Sequence, residues 1–423
     1  MIDVTRYRER FEAELGNVAL PELALIERAM PTPAPLGDIA RAVDDALAPL
    51  TMPRGRVAIA VGSRGIARLG EFVAAVVAAL RRSGAEPFIV PAMGSHGAST
   101  AQGQADVLAH LGVSEASVGA PIRATMETVE VGRTPSGLPV YMDALAHAAD
   151  AIVAINRIKP HTSYRGPIES GPAKMLAIGL GKQAGARSVH SLGWGGMRES
   201  VPAAARVAIA TGKVAFAVAI LENANEEPCR IEAMAASAIL EREPELLAEA
   251  MANLARLPLN RIDVLVVDRI GKSISGGGGD PNVTGRFPSE YISGGPKVTR
   301  LVYCAMAPGG DGNANGVGLA DVVTSELAAH VDPLPTYLNA LTTTAAGNAR
   351  LPMVMPTKEL AVAAALRMCP DLDPAQAVFV RVLDTLHLRR LWLSRPALAN
   401  VREPYEMLVD FRSAGLTAGF DRL

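Results

Sequence analysis

Short, unbroken apolar runs alternate with longer amphipathic ones along this chain. RVAIAV (56–61) ends in GSRG, a helical stretch follows through LGEFVAAVVAALRRSG, and a second run, PFIV (87–90), ends in PAMGSHGAS. Strands covered on both faces read as continuous apolar runs, so this rhythm predicts parallel strands with helices packed over them. AIVAI (151–155), VAFAVAIL (214–221), DVLVVD (263–268), VTRLVYCAMA (298–307) and AVFVRV (377–382) are further strand candidates. Residues 38–50, DIARAVDDALAPL, put Ile39, Val43, Ala46, Leu47 and Leu50 on one helical face, with Asp38 placed to cap the first turn. ASAILEREPELLAEAMANLARL and TKELAVAAALRM carry the same helical period.

LARLPLNRID (254–263) stops a helix, inserts a proline and begins a new strand, which marks a domain junction. The expected fold is therefore α/β, with two α/β domains of largely parallel sheets, an N-terminal one over 1–255 and a C-terminal one over 258–395. Length agrees, since 423 residues exceed what one compact core usually holds.

Composition removes several function classes. A formal charge of −2 gives no electrostatic reason to expect nucleic acid or an anionic membrane as partner. Cys229, Cys304 and Cys369 stand far apart, so they read as buried small hydrophobes rather than a disulfide framework or a zinc site. The first residues, MIDVTRYRERFEAELG, lack a signal-peptide apolar core, and FVAAVVAAL (72–80) is too short to span a membrane. A cytoplasmic location is expected.

Familiar motifs fail on inspection. GLGKQ (179–183) ends like a phosphate-binding loop, but Leu176 stands where the first glycine is required and Gln183 where a hydroxyl is. DGNANG (311–316) starts like a calcium loop, yet Val322 occupies the position of the bidentate carboxylate.

One regularity outweighs any single motif. Arg64, His96, His161 and Lys272 each follow a candidate strand, and ligands collect where the carboxyl ends of parallel strands converge. His110, His147, His330 and His387 read as packing or solvent residues. His96, in MGSHGAS, sits on a small-residue turn where a ligand can approach the backbone, or where the ring bonds to local carbonyls. His161 is either a loop residue after a proline or a catalytic one, and His190 either faces a helix dipole or ligates. Lys174, in SGPAKMLAIGLG, either snorkels to solvent or sits in a partly dry pocket where its amine is open to covalent chemistry.

Taken together, GSR (62–64), GSH (94–96), PHTSYRGPIESGPAKM (160–175) and His190 resemble the nickel-pincer-nucleotide-dependent lactate racemase family. ENANEEP, GKSISGGGGDPNVTGR, NGVGLADVVT and YLNALTTT are similar to segments of its lactate-racemase-like branch. The resemblance implies that Lys174 carries a nickel pyridinium-3,5-bisthiocarboxylic acid mononucleotide and that His190 is the protein's nickel ligand. It also implies that His96 and His161 are the acid/base pair and that Arg64 and Lys272 contact substrate. Two α/β domains with the site in a cleft follow from it, with residues 396–423 returning to complete the first domain. Proteins that build the cofactor would be loading partners, and a small 2-hydroxy acid the substrate; oligomeric state is left open. The chemistry suits the residue types, because two imidazoles on opposite sides of a substrate can exchange its hydroxyl proton near neutral pH while a cation holds its carboxylate.

Departures cluster around the substrate rather than the metal. GSRGI lacks the acidic residue of true lactate racemases, Gly97 stands where arginine is usual, and GPIESGPAK is longer and has proline for a glycine. GGGGDPN replaces a segment bearing tyrosine and glutamine. A bulkier 2-hydroxy acid, or a sugar acid epimerised beside its carboxylate, fits these changes better than lactate. Two other readings stand beside the racemase or epimerase: a small-carboxylate-binding protein that never receives the cofactor, and a lyase or hydrolase with His96, His161 and His190 around zinc.

Overall fold

The computed structural model describes residues 3–30, 32–62, 65–309 and 312–420. Its strands are β1 (Leu23–Arg28), β2 (Gly55–Val61), β3 (Ala85–Pro91), β4 (Thr128–Arg133), β5 (Pro139–Asp143), β6 (Ala151–Arg157), β7 (Val214–Glu222) and β8 (Pro228–Ala235). They continue with β9 (Arg261–Ile270), β10 (Lys297–Met306), β11 (Val322–Thr324), β12 (Met353–Met355), β13 (Phe379–Val382), β14 (Arg390–Leu393) and β15 (Tyr405–Arg412). The chain divides into two compact units, 32–254 and 1–31 together with 255–423.

In the unit of residues 32–254 the sheet runs β3-β2-β6-β7-β8. Its first four strands are parallel and β8 pairs antiparallel with β7. Ile59 of β2 faces Ile89 on one side and Val153 on the other, and all three are fully buried. Burying an aliphatic side chain of that size is worth roughly 1.5–3 kcal/mol, which is why unbroken apolar runs become the inner strands. Asp38 caps the helix Ile39–Leu47 by accepting from Arg41 N at 3.0 Å. The helix Leu69–Arg82 buries Leu69, Phe72, Val73, Val76 and Leu80 against the sheet. From β2 the chain goes to β3 on one side and later to β6 on the other. The order therefore reverses between β2 and β6, and a crevice opens beyond the carboxyl ends of strands at such a point.

The other unit holds an eight-stranded sheet in the order β12-β11-β10-β9-β13-β14-β1-β15. The five strands from β12 to β13 are parallel, and β14, β1 and β15 continue antiparallel. Here the structure corrects the expected layout of the termini. Of the segment 396–423 expected to return to the N-terminal domain, the described residues belong instead to this unit, because β15 pairs with β1, and β1 itself belongs to this second sheet through β14. Arg28 locks that arrangement: buried, it pairs with Glu403 and donates to the carbonyls of Arg256 at 2.8 Å and Leu388 at 3.1 Å. Cys304 and Cys369 are buried and Cys229 half-buried, all three free thiols. Among the described residues no helix is long and apolar enough to cross a membrane.

Candidate functional site

The loop after β6 is built around one carboxylate. Glu169, fully enclosed, accepts at Oε2 from His161 N at 2.7 Å and Arg165 Nη1 at 3.1 Å, and at Oε1 from Gly166 N at 3.0 Å. Burial pushes this carboxyl up, and the backbone N–H of His161, the Arg165 charge and the N–H of Gly166 oppose the rise. Arg165 also donates to His161 O at 2.9 Å. Tyr164, wholly buried, donates its hydroxyl to the carbonyls of Ile168 and Glu169 and lays its ring 4.6 Å from that of His161. Ser163 N donates to His161 Nδ1 at 3.1 Å, so a neutral ring held there carries its proton on Nε2.

Lys174 ends a short helix, Pro172–Lys174, and leads into a single π turn, Met175–Gly179, closed by Leu180 N donating to Met175 O at 2.9 Å. Such turns are rare and concentrate at functional sites. Asn156 at the end of β6 donates to Gly171 O at 3.0 Å, which fixes where the helix begins. Gly179 is required: a Cβ there would lie 2.5 Å from Ala92 O, in the loop leaving β3. The glycines of GLGK thus serve close packing of two site loops, not a phosphate.

His190 is the last residue of the helix Lys182–His190. Burial, reinforced by the neighbouring Lys174 charge, lowers it to about 4, so its imidazole is neutral at pH 7. Trp194 stands between the two rings, 5.4 Å from His190 edge-on and 5.5 Å from His161, and stacks at 6.5 Å with Tyr164. Its Nε1 is buried and has no hydrogen-bond partner among the described residues.

His96 lies on the neighbouring loop, exposed, on a turn bound to the same π turn by Gly94 N donating to Gly179 O at 3.1 Å. Gly97, at φ +64°, would drive a Cβ to 2.6 Å from Gln104 N. The helix that follows leaves no room for a side chain there, so that departure from the family pattern is structural.

The structure thus gathers His161 and His190 around Trp194, with Lys174 near His190 and His96 on the adjoining loop. Arg64 lies outside the described residues. Lys272 belongs to the other unit, where its ammonium donates to Gly276 O at 2.8 Å and Asn339 Oδ1 at 2.5 Å. Asp311, which opens DGNANG, is likewise outside the described residues. Among them no three His, Cys, Asp or Glu side chains converge as a metal site, so the three-imidazole zinc reading has no ligand set in this geometry.

Over residues 12–199 the sequence matches the family model of the lactate racemase N-terminal domain. The chain is lactate racemase-like over this stretch. No curated protein sequence matches the chain. Among solved structures, the lactate racemase apoprotein of Thermoanaerobacterium thermosaccharolyticum is similar, with a TM-score of 0.49 and 13% identity over 86% of this chain and 98% of that one. A protein from Thermotoga maritima gives a TM-score of 0.47 and 12% identity over 82% and 96% of the two chains. The lactate racemase-like stretch includes His96, His161, Lys174, His190 and Trp194.

Sequence reasoning passed over Trp194 and Glu243. Trp194 is one of two tryptophans in the chain and falls four residues after His190, a spacing that puts neighbours together on helical backbone. Glu243, on the helix Ile239–Asn253, accepts from Ala173 N at 2.8 Å and so steadies the turn that presents Lys174. Burial raises its carboxyl to about 8 from an ordinary 4.5. A raised acid contributes stability that is full below pH 4.5 and is lost as pH climbs through about 8. Glu243→Gln keeps an acceptor for Ala173 and removes the titration. In thermal melts at pH 5 and pH 9 the variant is expected to gain on the parent at the higher pH. The gain should reach up to a few kcal/mol, since each tenfold change in proton affinity between folded and unfolded chain is worth about 1.4 kcal/mol. Parallel melting curves against pH would show that Glu243 carries no such cost.

Proposed function

We propose that the chain is a racemase or epimerase of a 2-hydroxy acid that works with a nickel-pincer nucleotide tethered to Lys174. The observation that carries this reading is that Lys174 lies beside a half-buried His190, close enough for its charge to be felt by the ring, inside the lactate racemase-like stretch. An uncharged imidazole has its lone pair open to a metal, and an amine in a largely apolar turn is a natural attachment point. These residues fit the group: Lys174 would hold it covalently, His190 would supply the one protein ligand to nickel, and Trp194 Nε1, unpaired among the described residues, leaves a donor beside His190. When bound, the cofactor supplies the acceptor for the hydrogen on the substrate's C2.

The protein's own residues handle the proton. Loss of the C2 hydrogen and the hydroxyl proton gives a planar 2-keto acid that can be re-reduced from either face. His161 as imidazolium would return a proton from Nε2 to the carbonyl oxygen on one side, leaving a neutral ring protonated at Nδ1 once the resting contact from Ser163 N opens, and His96 is its counterpart on the other. In the opposite direction each ring accepts that proton. The substituted loop segments favour a substrate bulkier than lactate or a sugar acid.

His190→Ala is expected to lower nickel affinity by about tenfold or more while Lys174 stays modified. An unchanged metal ratio in the loaded variant would remove His190 from ligation. The function itself is tested by incubating the cofactor-loaded chain with a panel of chiral 2-hydroxy and sugar acids. Inversion at C2 of at least one of them is expected. Loaded protein that leaves every member of a broad panel unchanged would overturn the reading.

A further inference from the structure

We infer that Lys182 is a positioning residue whose buried ammonium, through Gln104, clamps the loop that carries His96 to the helix that ends at His190. Lys182 is the lysine of GLGK, which holds no phosphate-loop context, and the racemase reading gives it no part. It is fully buried and opens the helix Lys182–His190. Its Nζ donates to the carbonyl of Pro91, the last residue of β3, and to Gln104 Oε1 at 3.0 Å, and it pairs with Asp143 Oδ2 at 3.0 Å. The other oxygen of Asp143 accepts from Leu145 N at 2.8 Å and Ala146 N at 3.0 Å, so the carboxylate is anchored independently.

Gln104 completes the connection. Also fully buried, it donates Nε2 to Gly94 O at 2.9 Å and to His96 O at 3.3 Å. One side chain therefore binds two carbonyls of the His96 turn and hands the load to Lys182. The backbone of Lys182 is left-handed, at φ +52°, a conformation glycine adopts without strain and a long side chain does not. Keeping lysine at such a position makes sense for its ammonium, which reaches three acceptors that no apolar residue would satisfy. An exposed histidine on a short turn is only as well placed as its backbone, and an ångström of drift in a proton-transferring group costs a large factor in rate.

The clamp is separable from overall folding. Gln104→Leu cuts the link to Gly94 and His96 while leaving Lys182 its contacts with Asp143 and Pro91. The variant is expected to speed amide hydrogen exchange across residues 93–100 by about tenfold or more, with exchange in β2 and β6 unchanged. The rate arm rests on the acid/base role proposed for His96. There kcat should fall about 10²-fold with KM within about threefold, and the Lys174 adduct retained. Should Lys182→Met fail to fold, Lys182→Met combined with Asp143→Asn removes both buried charges, keeps the acceptor for Leu145 N and Ala146 N, and is expected to fold, yet to keep the fast exchange and the low kcat. Exchange across 93–100 that stays within about twofold of the parent in Gln104→Leu would overturn the clamp. A parent chain that inverts no acid would defeat the proposed function, and the exchange measurement would still decide this inference.

Discussion

His161→Ala is expected to lower kcat for racemisation by about 10³-fold while the adduct on Lys174 and the melting temperature stay close to those of the parent. Positioned acid–base groups contribute typically about 10²–10⁴, and His161 is placed for that role by contacts the substitution leaves in place. Glu169 accepts from the backbone N–H of residue 161, and Tyr164 is anchored by its own hydroxyl to Ile168 and Glu169. Alanine therefore removes the proton carrier and little else. The ring is half-exposed, so the lost packing is modest. Inversion at C2, followed with substrate deuterated at that carbon, should fall by the same factor. Retained inversion in His161→Ala would take the residue out of the mechanism.

Lys174→Ala has the largest expected effect. Without the amine there is no covalent anchor, so the variant should carry no cofactor mass under loading conditions and show racemisation at background level. Lys174→Arg is informative beside it, because arginine keeps a cation near His190 but cannot form the same linkage. It should be as inactive as alanine and leave the fold intact. Activity in either variant would show that attachment at this position is unnecessary.

The inner strands were legible because each is buried on both faces. β2, β3, β6 and β7 read as continuous apolar runs, and the reversal of order between β2 and β6 then follows from which strands pair. Strands at the margins were not. PCRIEAMA in β8 mixes charge with apolar residues because one edge and part of a face meet solvent, and the β4–β5 hairpin is half-exposed. β1 was missed for another reason. LALIER is short and follows a charged N-terminal helix, and nothing local says that its partners lie more than 360 residues away at Leu391–Leu393 and Tyr405–Arg412.

The site divides in the same way. His96, His161, Lys174 and His190 stand out because they combine reactive side chains with turn-forming neighbours and a family resemblance. The groups that hold them act across long stretches of sequence. Gln104 reaches Lys182 over 78 residues, and Glu243 reaches Ala173 over 70. A glutamine or a glutamate inside a helical pattern looks solvent-facing until the fold buries it. Burial is also what turns His190 into a neutral ligand candidate and lifts Glu243, and no local motif encodes either shift.

Peptide mass mapping of the chain after co-expression with cofactor-making proteins tests the central claim most directly. The account predicts that the peptide containing Lys174 carries the mass of the pincer nucleotide on that lysine, and that the same peptide with Lys174→Ala carries none. An unmodified Lys174 peptide from protein made under those conditions would contradict it.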